Sequence, residues 1–193
     1  DASLRIWDLR GDLATALDTR TTSSVYAAAI HPAQTAVIAG DQDGKVYTWD
    51  LRAQALSSVK LDGGMSVRAL AVRFDGRRVA VATNTGRIVV YACDEVTGGG
   101  LTEVANWPAH ATYILQVAFS PDGSVLATAS ADHTVKLWAK TDAAGERDKE
   151  SYSLWRTLVG HQRWVWDCVF NSDGEYLLTG SSDNTAKLWR LSN

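Results

Sequence analysis

Apolar and polar positions alternate along this chain in short runs, each closed by a turn. Segments 67–74, 79–83, 88–91, 125–130, 135–138 and 176–181 are rich in Val, Ile, Thr or aromatic residues and are bounded by Gly, Asp or Asn. That composition suits a pleated, half-buried surface, so each run predicts a β-strand. No stretch sustains the 3.6-residue period of an amphipathic helix. The expectation is an all-β protein built from antiparallel strands.

The runs recur. Aligned on Trp7, Trp49, Tyr91, Trp138 and Trp189, the chain repeats at spacings of 42, 42, 47 and 51 residues. The surplus in the longer spacings falls in segments 96–100 and 141–151, read as surface loops. Six residues before the anchors stand Asp1, Asp43, Thr85, Asp132 and Asp183, and ahead of those come turns such as Ser120-Pro121-Asp122-Gly123 and Asn171-Ser172-Asp173-Gly174. Four short strands per 40–45 residues is the period of a WD40 propeller blade. The expected fold is therefore a partial WD40 β-propeller of about four to five blades. One domain spans 1–193: a partial blade at 1–20, blades at about 21–61, 62–106 and 107–158, and a partial blade at 159–193.

His110 and His161 fall in register with these marks, which gives each a structural role and not a catalytic one. A buried Trp N–H needs an acceptor, and a strand hydroxyl can supply it while also meeting the His ring. The expected networks are His110, Thr128 or Ser130, Asp132 and Trp138, and His161, Thr179 or Ser181, Asp183 and Trp189. The blade ending in Trp49 keeps Asp43 without the His. The blade ending in Tyr91 lacks both, so it is expected to be the loosest. His31 and His133 fall in turns and are expected to be exposed.

Composition narrows the function. The chain has 193 residues, a formal net charge of −3 and 46% hydrophobic residues, so wholesale disorder is excluded. The mild acidity argues against a nucleic-acid binder. No apolar run approaches the ~18 residues of a membrane span, and no signal peptide is expected. Cys93 and Cys168 make neither a disulfide framework nor a zinc site; they read as free thiols in or near strands, as in a reducing compartment. Gly98-Gly99-Gly100 opens no phosphate-binding helix, and neither a nucleophile elbow nor a zincin helix occurs. The charged run 142–150 alternates in sign and reads as a solvated loop. No catalytic residue, cofactor or metal is expected, and function is assigned to an exposed face.

On a propeller that face is the one where each innermost strand begins. Three and five residues after the His register lie Ser24 and Tyr26, Ser66 and Arg68, Tyr113 and Leu115, Trp164 and Trp166, with Gln42, Asn84, Ala131 and Ser182 at the neighbouring turns. The chain is unusual in its eight Trp against three Phe. The repeat explains four of them. Trp107 and Trp155 fall on outer strands and are expected to cover blade edges. Trp164 and Trp166 are not explained by the repeat, and Trp, Tyr and Arg dominate interface hot spots. The candidate protein-binding residues are Trp164, Trp166, Arg163, Tyr113, Tyr26 and Arg68.

The segment 160–170, GHQRWVWDCVF, resembles one in the G-protein-β-subunit-like WD40 subunit of the target-of-rapamycin (TOR) kinase complexes. Further likeness runs through 129–138, 110–115, 31–35 and 40–44. The resemblance implies a seven-bladed propeller without activity of its own. It would bind the C-lobe of the TOR kinase domain and stabilise its active conformation, alongside other subunits of the complex. Trp164 and Trp166 would belong to that kinase-binding surface, and Tyr113 follows from its equivalent place in the preceding blade. The location implied is cytoplasmic, peripheral at endomembranes through the complex. The charged 141–151 loop departs from the family pattern. Seven blades would take roughly 290 residues, so these residues are expected to be the middle of a longer propeller, with unpaired sheet edges.

Three other readings compete, and the plainest is a generic propeller interaction scaffold. The string Trp-Asp-Leu-Arg, at Trp7–Arg10 and Trp49–Arg52, is a cue for a substrate receptor of a cullin–RING ubiquitin ligase. A channel enzyme or small-ligand binder would need convergent carboxylates or His on the innermost strands, which offer mainly Ala, Val, Leu and Ile, with Arg68 and Asp167 as exceptions.

Overall fold

A computed structural model describes residues 2–7, 15–93, 100–141 and 149–191. Every sheet is antiparallel. Strands β1 (Ser3–Trp7) and β2 (Thr15–Arg20) form a two-stranded ribbon. The first four-stranded sheet is β3 (Val25–Ile30), β4 (Ala36–Asp41), β5 (Lys45–Asp50) and β6 (Ala55–Lys60). The second is β7 (Val67–Val72), β8 (Arg78–Thr83), β9 (Arg87–Cys93) and β10 (Leu101–Pro108). The third is β11 (Ile114–Phe119), β12 (Val125–Ser130), β13 (Thr134–Thr141) and β14 (Ser151–Val159). The last has β15 (Val165–Phe170), β16 (Tyr176–Ser181) and β17 (Ala186–Arg190). Strands meander in chain order within each sheet, and the four larger sheets pack face to face in succession. This is a partial β-propeller of four blades.

The packing follows from the two-residue period of a strand, which sends alternate side chains to opposite faces. On β8, Val79 and Val81 join the core shared with the first sheet, while Ala80 and Ala82 join the core shared with the third. On β9, Val89 and Tyr91 face one way and Ile88 and Val90 the other. Small residues oppose large ones across each interface. Ala69, Ala80 and Ala82 receive Ile114, Leu126 and Trp138, and Ala127 and Ala129 receive Val165 and Leu177. Such size alternation lets two inner faces interdigitate without voids.

This arrangement corrects the expectation that the Tyr91 blade is loose. Ile88, Val89 and Val90 are fully buried and Tyr91 is 3% exposed. Lying between two other sheets, the blade is covered on both faces and does not need the His–Asp network. Burial also pushes the Tyr91 phenol up to about 12.

The two full networks form through threonine. His110 Nε2 lies 2.7 Å from Thr128 Oγ1 and its Nδ1 2.7 Å from Asp132 Oδ2. The Trp138 indole donates to Thr128 Oγ1 at 3.0 Å. Residues His161, Thr179, Asp183 and Trp189 repeat this at 2.8, 2.9 and 2.9 Å. With a carboxylate at Nδ1, that nitrogen donates its N–H, and Nε2 accepts the threonine hydroxyl. Each group then has a partner along one line, Trp to Thr to His to Asp.

Ser130 and Ser181, the alternative hydroxyls, stand outside these networks. Ser130 Oγ donates to the Tyr113 carbonyl at 2.9 Å and accepts the Asp132 N–H. Ser181 Oγ donates to the Arg163 carbonyl and accepts the Asp183 N–H. The first sheet has its own version, and it uses Asp41 in place of Asp43. Asp41 is fully buried and takes the Tyr47 hydroxyl at 3.0 Å and the Lys45 N–H at 2.8 Å. Asp43 is exposed at the tip of the turn.

Two more expectations change. His31 is 2% exposed, not a surface turn residue. Its Nδ1 accepts the Ala33 N–H, so Nε2 carries the proton and donates to the Gly76 carbonyl of the next blade at 2.9 Å. His133 is exposed as read. Of the charged run 142–150, positions 142–148 lie outside the described residues, as do 96–99 of the 96–100 loop. Glu150 is no solvated loop residue. Its side chain is 7% exposed and pairs with Arg78 of the second sheet and Lys140 of the third, each at 2.9 Å, while Tyr152 donates to it at 3.0 Å. It clasps two blades.

Candidate functional site

Each innermost strand carries the same irregularity. Register slips between Val25 and Ala27, Val67 and Ala69, Ile114 and Gln116, and Val165 and Asp167. The residues at the slips are therefore Tyr26, Arg68, Leu115 and Trp166. A β-bulge re-aims the side chain at which it occurs, so four bulges in register turn one position per blade toward a common rim. The turn after each second strand is tied to the same place. Backbone N–H groups of Gln42, Asn84, Ala131 and Ser182 donate to the carbonyls of Ser24, Ser66, Tyr113 and Trp164, at 2.9 to 3.1 Å.

The rim bears exposed aromatic rings. Tyr26, Tyr113, Trp164 and Trp166 are 47, 41, 41 and 51% exposed. The Trp164 and Trp166 rings lie 5.6 Å apart and tilted, and the Trp166 indole donates to the Ser182 hydroxyl. The flanking Val165 is fully buried. The pair therefore projects from a strand anchored in the core between the last two blades.

Arg68 joins two of the blades on either side. Its guanidinium lies over the Tyr26 ring at 5.2 Å and over the Tyr113 ring at 5.5 Å. These three residues, with Gln42, Ser66 and Asn84, line a hollow of about 200 Å³. Leu115 at the third bulge is half-buried, and Arg163 is exposed beside Trp164. Deeper along the inner strands, Gln116 donates to Asp167 at 3.0 Å, a cross-blade pair the sequence reading did not single out. Trp155 is exposed on β14, whereas Trp107 on β10 stacks on Tyr152 and meets Trp138 edge to face, so it belongs to the interface between blades.

Among the described residues, no three His, Cys, Asp or Glu side chains are grouped to hold a metal. Burial, helped by Asp167, pushes the Cys168 thiol far up, which makes it a packing residue. No helix among the described residues is long and apolar enough to cross a membrane. In the second Trp-Asp-Leu-Arg string, the Asp50 carboxylate accepts the Arg52 and Ala53 N–H groups, so it shapes its own turn. In the first string, Asp8 to Arg10 lie outside the described residues.

Known proteins place the chain. Over 147 residues it is 34% identical to "Protein LST8 homolog" of Drosophila melanogaster, covering 75% of this chain and 44% of that protein. Over 180 residues it is 40% identical to "Non-functional target of rapamycin complex subunit LST8-2" of Arabidopsis thaliana, covering 91% and 54%. Over 145 residues it is 34% identical to "Target of rapamycin complex subunit LST8" of Bos taurus, covering 72% and 44%. The chain thus spans about half the length of these relatives, and their names bear out the resemblance to a TOR-complex WD40 subunit. The model of the WD domain, G-beta repeat, matches residues 13–50, 101–139 and 152–190, with strands β6 to β9 outside its matches. These matches cover more than half of the chain, which belongs to the WD domain, G-beta repeat family.

Proposed function

We propose that this chain serves in a non-catalytic WD40 scaffold subunit of a TOR kinase complex. Its bulged rim, with Trp164, Trp166, Arg163, Tyr113, Tyr26 and Arg68, binds the kinase domain on its C-lobe and stabilises the active conformation. The supporting observation is the row of exposed Tyr and Trp rings with Arg68 at the starts of four innermost strands, held by a recurrent bulge and turn hydrogen bond. Rigid aromatic and Arg side chains on a fixed scaffold are what interface hot spots are made of. The names of the relatives point the same way, because they are described as subunits of target of rapamycin complexes. The protein works in the cytoplasm and reaches endomembranes only through its complex.

The test is a pull-down from cells with the full-length parent protein, comparing wild type with the W164A/W166A double variant. TOR kinase is recovered by the wild type and lost from the variant, and kinase activity in the eluate falls with it. Retention of the kinase by the variant at the wild-type level removes the rim from the interface. Recovery of a cullin adaptor without TOR kinase replaces the reading with that of a ligase receptor.

A further inference from the structure

We propose that the hollow around Arg68 is an acidic-side-chain site, which takes an Asp or Glu carboxylate from the partner protein. The proposal deepens the reading above and rests on it only for the identity of the protein that supplies the carboxylate.

The charge of Arg68 is uncompensated among the described residues. Arg73 pairs with Asp75, Arg78 with Glu150, and Arg87 bonds Asn106. Arg68 is half-buried on an innermost strand, yet has no carboxylate within ion-pair distance among the described residues. What it has instead is two tyrosine rings. Those rings attract and position the cation but supply no anionic acceptor. A guanidinium fixed in this way is prepared for a forked pair with a carboxylate, and less side-chain entropy is lost when the pair forms.

The walls add donors of the right kind. Asn84 Oδ1 accepts the Ser66 N–H at 2.9 Å, which leaves the Asn84 Nδ2 group as the free end of that amide. Gln42 and the Ser66 hydroxyl line the same hollow. Every lining side chain other than Arg68 is neutral, so the hollow is a locally positive spot on a chain of net charge −3.

Size and surroundings select the occupant. At about 200 Å³ the hollow is smaller than the ~300–1,000 Å³ typical of small-molecule sites. One guanidinium with neutral donors matches the single charge of a carboxylate, where a phosphate dianion calls for more positive charge. Exposed Tyr26 and Tyr113 form two sides of the hollow, and the Trp164 and Trp166 pair lies farther along the rim. Such a rim suits a protein segment that places one acidic side chain among apolar ones.

The test titrates the full chain with a blocked glutamate, a blocked glutamine and a blocked phosphoserine. The Arg68 Nε–H and Asn84 side-chain amide resonances are followed by NMR. Glutamate is expected to shift both saturably in the millimolar range, glutamine to shift neither, and phosphoserine to bind more weakly than glutamate. R68K is expected to weaken glutamate binding about tenfold, because it keeps the charge and loses the fork. R68Q is expected to abolish it. An equal response to glutamine, tighter binding of phosphoserine, or an unchanged response in R68K overturns the proposal. The wild-type comparison of glutamate with glutamine decides the matter even where a variant fails to fold. No kinase takes part, so failure here leaves the pull-down result standing, and failure of the pull-down leaves this result standing.

Discussion

The Trp138 indole N–H donates to Thr128 Oγ1 across 3.0 Å, inside the packed layer between two blades. That hydroxyl also meets His110 Nε2 at 2.7 Å, so one oxygen satisfies two buried rings. Removing it strands both of them. T128V keeps the shape and loses the oxygen, and is expected to destabilise the fold by about 2–4 kcal/mol, since each buried polar group left unpaired costs about 1–3. T128S is expected to recover much of this. S130A removes hydrogen bonds at a turn and is expected to cost about 1 kcal/mol. Urea denaturation midpoints of the three variants provide the check.

The same network sets an acid limit. Burial alone would raise the Asp132 carboxyl, but hydrogen bonds from His110 and Thr134 outweigh it and hold the group well below the usual carboxylate range. Asp183 is held low chiefly by the hydroxyl of Thr185, against the effect of burial. A depressed folded-state value means that the stability these groups contribute is complete above the unfolded value near 3.9. It is lost as pH falls through the folded value. The denaturation midpoint is therefore expected to hold down to about pH 5 and fall steadily below it. D132N is expected to start lower and show a shallower acid decline. An identical slope in D132N and wild type would contradict this.

Glu150 is the junction between the second and third sheets. Replacing it with alanine leaves Arg78 and Lys140 facing each other without the carboxylate that separates their charges, and removes the acceptor of Tyr152. Breaking a buried pair from one side costs about 3–5 kcal/mol. Arg78 and Lys140 are partly exposed, so E150A is expected at about 2–3 kcal/mol. The exposed Glu103 provides a control, with E103A expected within about 0.5 kcal/mol of wild type. Thermal unfolding of the pair separates the two cases.

Strand order and turn positions are legible in the sequence because the repeat spaces Trp49, Tyr91, Trp138 and Trp189 regularly, and because strands are short and alternate. What alternation cannot resolve is a choice between residues two apart. Thr128 and Ser130 lie on one face of β12, as do Thr179 and Ser181 on β16, and only the reach of the His ring selects the threonines. Asp41 and Asp43 also stand two apart, and β4 ends between them. Glu150 is hidden for a different reason. Its partner Arg78 lies 72 residues away, and the charged run gives no sign of a pair at that range. On the rim, register is enough to name Tyr26, Arg68, Tyr113, Trp164 and Trp166. Period-2 reasoning passes over the bulges that aim the first strand positions outward, and no residue type marks them.

The Trp166 ring is steered by a neighbour that bears no bulk of its own. Ser182 accepts the Trp166 indole N–H, and its own backbone N–H donates to the Trp164 carbonyl at 3.0 Å. The turn thus holds both the strand and the ring beside it. S182A keeps the backbone bond and frees the ring, so fold stability is expected to stay within about 0.5 kcal/mol of wild type. Affinity for the proposed kinase partner is a separate matter. Ordering a free aromatic side chain at an interface costs about 0.5–1.5 kcal/mol, which a held ring does not lose on binding. S182A is therefore expected to weaken binding about three- to tenfold, mainly through faster dissociation, and W166A to weaken it by at least about thirtyfold. Surface plasmon resonance with the kinase domain immobilised separates these effects. Equal losses in S182A and W166A would mean that the serine touches the partner directly and does not position the ring.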